Sequence, residues 1–407
     1  MVVADDDGES IGLFEPLLVS EGAKSRSKLN ELAISLVEKS SALAASLPTP
    51  IAASLSDLVE VVDCYHSNLI EGHKTDPLDI DRVMRGDYSD DVETRDLQLE
   101  ARAHIEVQQW ISRQKNEATS FSFEFVREIH RRFCGGLPPS FLLVGTGEHD
   151  RTRVLEPGAI RTYRVQVGRH VAISPAAVPR FLARMEQAYK PQGRTERILA
   201  ASCCHHRLLW VHPFLDGNGR VARLLASNAI RSETSTNLLW SLSRGLARRG
   251  KEYKAHLQSC DEPRRGSLDG RGTLSEGALA AFVEYVLETC LEEVTFMSDL
   301  MRPQELRDRL MKWALDEIRS GSLPPQADVV LGALITCGEL DQAEVDALTD
   351  TRNGPAKQLS TALIESGVAQ AKTLHSGLRL SFPVRLKDQL LPGIFLMDQA
   401  GQTIREI

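Results

Sequence analysis

Twelve consecutive residues, His212-Pro213-Phe214-Leu215-Asp216-Gly217-Asn218-Gly219-Arg220-Val221-Ala222-Arg223, bring together an imidazole, a carboxylate, two glycines around an amide, and two arginines. The apolar run from Ile198 to Trp210 has helical spacing without glycine or proline, and Pro213 ends it, because proline lacks an N–H and disfavours a helical residue before it. Gly217 and Gly219 let the main chain turn sharply and approach a ligand closely. A second helix starts near Arg220, with Val221, Leu224, Leu225 and Asn228 at helical offsets. A loop feeding a helix N-terminus points unpaired N–H groups at an anion. Around such a cradle, Asp216 is a hard-oxygen ligand for Mg²⁺ on phosphates, and Asn218 is a donor to a phosphate oxygen. Arg220 and Arg223 are forks on one helix face. His212 is a base with an ordinary pKa near neutrality, and Phe214 anchors the loop. This set fits phosphoryl or nucleotidyl transfer to a hydroxyl.

The loop resembles the Fic motif, HPFx(D/E)GNGRxxR, at every specified position. Fic proteins mostly transfer AMP from ATP to a Ser, Thr or Tyr hydroxyl of a target protein, with release of pyrophosphate. The resemblance implies that His212 is the general base and Asp216 the Mg²⁺ ligand. It also implies that Gly217, Asn218 and Gly219 wrap the α- and β-phosphates, with Arg220 at the β-phosphate and Arg223 at the γ-phosphate. Doc-type kinases carry lysine where this chain has Gly219, so the AMP-transferring form is expected. The alternating stretch from Gly158 to Gly168, with Ile160, Arg161, Val165 and Val167, reads as a hairpin. In the family that hairpin is the flap that aligns the target segment. It is expected to join the loop through a helix that Ser174 caps and Pro175 opens. Tyr253 falls where family members place an aromatic near the adenine, although a core tyrosine fits the position equally well.

Ser67-Asn68-Leu69-Ile70-Glu71-Gly72 resembles the family's inhibitory motif, (S/T)xxxE(G/N), with Ser67, Glu71 and Gly72 at its specified positions. The resemblance implies a Glu71–Arg223 pair that places negative charge where the γ-phosphate belongs. His73 departs from the asparagine common in relatives.

The elements that must position these groups are helices. Apolar spacing gives one from Ser25 to Leu47, ended by Pro48 and Pro50, and another from Ser54 to Ile70 that delivers Glu71. Residues 95–115 and 121–133 read as helices, 260–273 as a charged loop, and Ser275 as the cap of a helix to about Leu300, followed by another to Ile318. Beyond a linker at 320–325, helical patterns at 329–336, 342–348 and 357–366 precede two strand-like pieces, 368–374 and 378–382. The expected fold is mainly α: a Fic-type helical bundle with a β-hairpin flap and a C-terminal winged-helix-like domain. Its expected parts are an extended arm (1–24), an N-terminal helical region (25–115), the catalytic core (116–260), a helical extension (275–319) and the C-terminal domain (326–407).

Composition bounds the rest. The 407 residues carry a net charge of −8, which argues against a dedicated nucleic-acid or anionic-membrane binder. Residues 322–407 hold ten Asp/Glu against seven Lys/Arg, a poor phosphate footprint, so DNA is a disfavoured partner. No apolar run approaches a membrane span, and the acidic start is no signal peptide. Seven scattered cysteines without CxxC read as reduced thiols of a cytoplasmic protein. Cys203-Cys204-His205-His206 point in different directions on a helix and read as core residues. The expectation is a cytoplasmic, auto-inhibited protein adenylyltransferase using ATP and Mg²⁺ on a protein hydroxyl. Self-modification and homodimerisation stay open. The alternatives are AMP removal at the same site, with Glu71 handling water, or a DNA-binding regulator acting through the C-terminal domain.

Overall fold

The computed structural model describes residues 5–114, 121–146, 151–190, 193–234, 238–349, 355–371 and 377–396. Helices α1 (Arg26–Ala45) and α2 (Thr49–Ile70) meet at a sharp bend of 119°. α2 begins earlier than the apolar pattern suggested. Pro50 sits in its first turn, where the missing N–H has no intrahelical partner to lose, so this proline opens the second helix. Next come α3 (Pro77–Met84), α4 (Val92–Ser112) and α5 (Phe123–Gly135), then strands β1 (Leu143–Thr146), β2 (Arg151–Val154), β3 (Gln166–Val167) and β4 (His170–Val171). The helices α6 (Val178–Ala188), α7 (Arg194–Val211), α8 (Asn218–Thr234), α9 (Leu242–Arg248), α10 (Gly250–Cys260), α11 (Glu276–Leu300) and α12 (Pro303–Ser320) complete the main body.

α7 is buried along nearly all its length, from Ile198 to Val211, and packs lengthwise on α8. A helix buried on every side must satisfy its polar groups inside the protein, and α2 is enclosed in the same way from Val61 to Leu69. Polar residues within α7 find partners. The wholly buried Arg207 donates to the Pro16 carbonyl, His205 meets the Tyr253 hydroxyl, and His206 meets Asp261. As expected, the Ser275 side chain caps α11 by accepting from the Ala278 N–H.

The N-terminal arm is extended but docked, which the sequence did not suggest. Phe14, Leu17 and Val19 are buried in the core, and Asp6, Asp7 and Glu15 pair with Arg180, Arg164 and Arg184. Ser174 does not cap a helix. Its hydroxyl accepts from the Asp7 N–H and binds Glu9, while residues 175–177 make a single 3₁₀ turn before α6. α3, α9 and the β1–β2 hairpin were not anticipated.

The C-terminal part contains α13 (Ala327–Cys337), β5 (Glu339–Leu340), α14 (Gln342–Leu348), α15 (Pro355–Glu365), β6 (Ala369–Gln370) and β7 (Leu378–Leu380), then a short α16 (Lys387–Leu390). The three helices and two strands stand near their expected places. β5 is added to make an antiparallel sheet of order β5-β7-β6. The expected turn at His375-Ser376 and the end of the first strand piece lie outside the described residues. Residues 393–396 return to α2 and α9. The Leu396 N–H donates to His66, the Tyr65 hydroxyl to the Leu396 carbonyl, and Arg244 to the carbonyls of Gly393 and Ile394.

Candidate active site

α7 stops at His212, which takes a left-handed backbone conformation (φ 48°, ψ 63°) while its N–H still bonds the Leu208 carbonyl. A non-glycine residue there is uncommon and needs outside support. Arg161 supplies it: its Nε donates to the His212 carbonyl at 2.6 Å, its Nη2 to the Ile173 carbonyl, and its N–H to the Pro213 carbonyl. Arg161 is 3% exposed, and burial pulls its pKa down to about 10. The expected assignment of Arg161 to target docking is therefore corrected: it is a buried clasp on the loop. The expected hairpin is also relocated. The paired strands are Gln166–Val167 and His170–Val171, turning at Gly168 (φ 57°), while residues 158–164 are unpaired coil. Ile160 packs on the core, Val165 is half-buried, and Val167 and Val171 face solvent.

Burial, aided by the nearby Arg161 charge and opposed by the Leu209 backbone, lowers the His212 pKa to about 4. The imidazole is thus neutral at pH 7, with one ring nitrogen able to accept a proton. From there the loop is held rigid. Phe214 is wholly buried and stacks on His130, with ring centroids 3.8 Å apart. His130 accepts the Gly158 N–H at Nδ1, so its Nε2 carries the hydrogen and donates to the Asp216 carbonyl at 3.1 Å. Asn218 exchanges two 3.0 Å hydrogen bonds with the Phe214 backbone. Its side chain is therefore a staple across the loop rather than the free phosphate donor expected. Gly217 (φ 79°) provides the turn into α8, whose first-turn N–H groups have no intrahelical acceptor. Asp216 is half exposed, with Oδ1 on the Gly217 N–H and Oδ2 3.6 Å from Arg220.

The two arginines are engaged separately. Arg220 is buried against the Phe133 ring and pairs with Glu100 of α4, while its Nε has no acceptor among the described residues. Arg223 donates to the Ser67 hydroxyl (3.0 Å), the Ser67 carbonyl (3.1 Å) and the Glu71 carboxylate (2.5 Å). These acceptors cluster at the C-terminal end of α2, where the helix dipole also favours a cation. Burial would raise the Glu71 pKa, but Arg223 and Arg220 outweigh it and leave the carboxylate lowered, hence ionised. Gly219 makes room: a Cβ there would overlap the Glu71 carboxylate and come within 3.2 Å of Arg223. Gly72 (φ 89°) ends α2 by a Schellman turn, with His73 N–H on the Asn68 carbonyl and Gly72 N–H on that of Leu69.

Tyr253 is 3% exposed, and its hydroxyl lies 2.7 Å from His205; burial raises its pKa to about 12, against the nearby Arg223 charge. That is the core-tyrosine alternative, with no exposed face for a base. His130 and Glu100 escaped the sequence reading. The partners that tie them to the site lie 27 to 120 residues away, so local spacing does not mark them.

The Fic/DOC family pattern matches residues 120–230. Protein adenylyltransferase fic-1 of Caenorhabditis briggsae is 34% identical over 111 residues, covering 27% of this chain and 19% of that protein. Protein adenylyltransferase Fic of Drosophila grimshawi is 25% identical over 168 residues, 41% of this chain and 32% of that protein. The chain thus aligns with a third or less of these relatives' length. The structure of Fic-1 (residues 134–508) from Caenorhabditis elegans shares the fold with a TM-score of 0.51 at 19% identity, covering 68% of this chain and 73% of that one. Residues 120–230, which carry the His212–Arg223 loop, thus resemble the Fic/DOC family, and the fold is shared with the Fic-1 structure.

Proposed function

We propose that the protein is an auto-inhibited protein adenylyltransferase. The observation that carries this is the Glu71 carboxylate lying beside Gly219 on Arg223. An internal anion already occupies the N-terminal end of α8, where a nucleotide phosphate would bind. Adenylyltransferase is also the activity named for the curated relatives.

In the transfer, the target hydroxyl oxygen forms a bond to the α-phosphorus of ATP and the bond from that phosphorus to the bridging oxygen breaks. Pyrophosphate leaves with the electron pair, and the hydroxyl proton passes to His212. The first-turn N–H groups of α8 bind phosphate oxygens, and Arg220 and Arg223 hold the leaving group once Glu71 withdraws. Asp216 suits Mg²⁺, since one accessible carboxylate beside phosphates is the usual protein share of its coordination; the ion would offset phosphate charge. The exposed β3–β4 hairpin is the surface on which we place the target segment. We assign the C-terminal helices and sheet a winged-helix arrangement serving protein contact. We place the protein in the cytoplasm, where its seven unpaired cysteines stay reduced.

The test uses α-labelled ATP with Mg²⁺ on wild type, Glu71→Gly, and Glu71→Gly with His212→Ala. Label on protein in Glu71→Gly alone supports transfer, the inhibitory carboxylate and the base together. No label in any of them, on the chain itself or on lysate proteins, sinks the transferase reading and shifts the assignment to AMP removal.

A further inference from the structure

The turn that ends α2 has a second hold on the site. Two residues past Glu71, His73 reaches back to α4, where its Nδ1 lies 2.7 Å from Glu100 Oε2. Glu100 is wholly buried, and its other oxygen pairs with Arg220. One three-residue turn is therefore tied to Arg223 directly and to Arg220 through a shared carboxylate. A merely surface histidine would need no such partner, and His73 is only 35% exposed.

We propose that His73 and Glu100 form a latch that holds the Glu71 turn over the nucleotide site, more firmly when His73 is protonated. The latch rests on the nucleotide-site reading above. Its physical basis is that displacing Glu71 from Arg223 requires the last turn of α2 to move, which stretches the His73–Glu100 bond. A hydrogen bond between two ionised groups is roughly twice as strong as a neutral one.

The groups facing His73 come from three helices. Glu100 of α4 raises its pKa most; burial and the Arg220 charge of α8 oppose it, and Glu71 of α2 adds to the rise. Phe141, 5.2 Å away, is uncharged. The net direction is upward. The closed turn therefore binds the proton more tightly than an open one, whose imidazole returns to about 6.5. The closed state gains its full advantage below that value and loses it as pH rises through the higher closed-state value. Inhibition deepens toward acid.

The experiment is equilibrium binding of a fluorescent ATP analogue with Mg²⁺ to the full chain at pH 6.0 and 8.5, at constant ionic strength. It compares wild type, His73→Asn and Glu71→Gly. The Glu71→Gly variant reports the titration of the nucleotide itself, whose terminal phosphate changes charge near pH 6. Beyond that baseline, wild-type Kd is expected to fall by about threefold to tenfold from pH 6.0 to 8.5, tenfold matching one pH unit of linkage. His73→Asn should show only the baseline ratio and bind more tightly than wild type at pH 6.0. A wild-type ratio equal to that of His73→Asn overturns the latch while the nucleotide site stands. Failure of Glu71→Gly to bind nucleotide at either pH takes down the nucleotide site and the latch with it.

Discussion

His212 holds a backbone conformation that few side chains adopt, and it does so because Arg161 clasps its carbonyl. The imidazole is depressed to about 4, first by burial and then by Arg161, so the neutral base predominates well below pH 7. On the proposed transferase reading, Glu71→Gly should keep a flat transfer rate between pH 6 and 8, provided the rate is measured at saturating nucleotide. A decline should set in only toward pH 5 and below. A steep rise between pH 6 and 7.5 would mean that the base titrates at its ordinary value and that the burial is relieved in solution. Gly219 yields a second residue-scale expectation. A methyl there would overlap the Glu71 carboxylate, so Gly219→Ala should weaken the Glu71–Arg223 pair and raise nucleotide affinity above that of wild type. Affinity unchanged or lowered would show that the methyl blocks the phosphate before it displaces the glutamate. The set from His212 to Arg223 was legible in the sequence because the loop is local. Its roles were only partly legible, since Asn218 spends its amide on the Phe214 backbone, a choice set by loop closure. Arg161, Glu100 and His130 act through contacts made by the folded chain, and no spacing shows those.

At the scale of elements, the proposed control rests on where α2 stops. Ser67 and Glu71 lie one helical turn apart on the same face, and Gly72 in the left-handed region ends the helix as Glu71 reaches Arg223. The resemblance to the inhibitory motif implied that pairing, while spacing alone gave only the stop at Gly72, because a glycine after the last apolar position is a stop signal. The start of α2 could not, because Pro50 both ends one apolar pattern and opens the next helix. The flap was misplaced for a related reason: the alternation from Gly158 to Gly168 includes Arg161, which packs inward to hold His212 instead of pairing across a hairpin. Replacing Gly72 by alanine forces a Cβ into the left-handed region, at about 1–2 kcal/mol. The variant should melt a few degrees lower at most, as in a thermal scan followed by circular dichroism, and should label more strongly with α-labelled ATP than wild type. It should remain below Glu71→Gly, because the carboxylate is displaced rather than removed. Equal labelling of wild type and Gly72→Ala would show that the turn's geometry does not set the inhibition.

At the scale of the whole molecule, α2 is enclosed from two sides. One end meets α8 through Arg223, and Tyr65 and His66 meet the returning C-terminal segment. Phe395 is 5% exposed and stands edge-on to Tyr65, with ring centroids 5.4 Å apart. Mainly-α architecture was legible from helical spacing, but the return of residues 393–396 was not, since it depends on backbone groups that carry no sequence signal. Acidic composition in the same region speaks against duplex DNA as its partner. The exposed residues of α15 include Lys357 and, more than two turns on, Glu365, and a fluorescent duplex should not bind in 0.15 M salt. On the proposed inhibition, the C-terminal segment also restrains α2, because the helix is held at Tyr65 and His66 near its last turn. Phe395→Ala removes a buried ring, at about 3–5 kcal/mol for a site that does not collapse, and some of that loss should fall on α2 locally. Hydrogen exchange across residues 62–71 should accelerate relative to α7, and α-label transfer should rise above wild type while the loop from His212 to Gly219 stays protected. Uniform acceleration over α7 and α8 as well would mean that the substitution unfolds the whole body, with no selective coupling between the C-terminal segment and the inhibitory helix.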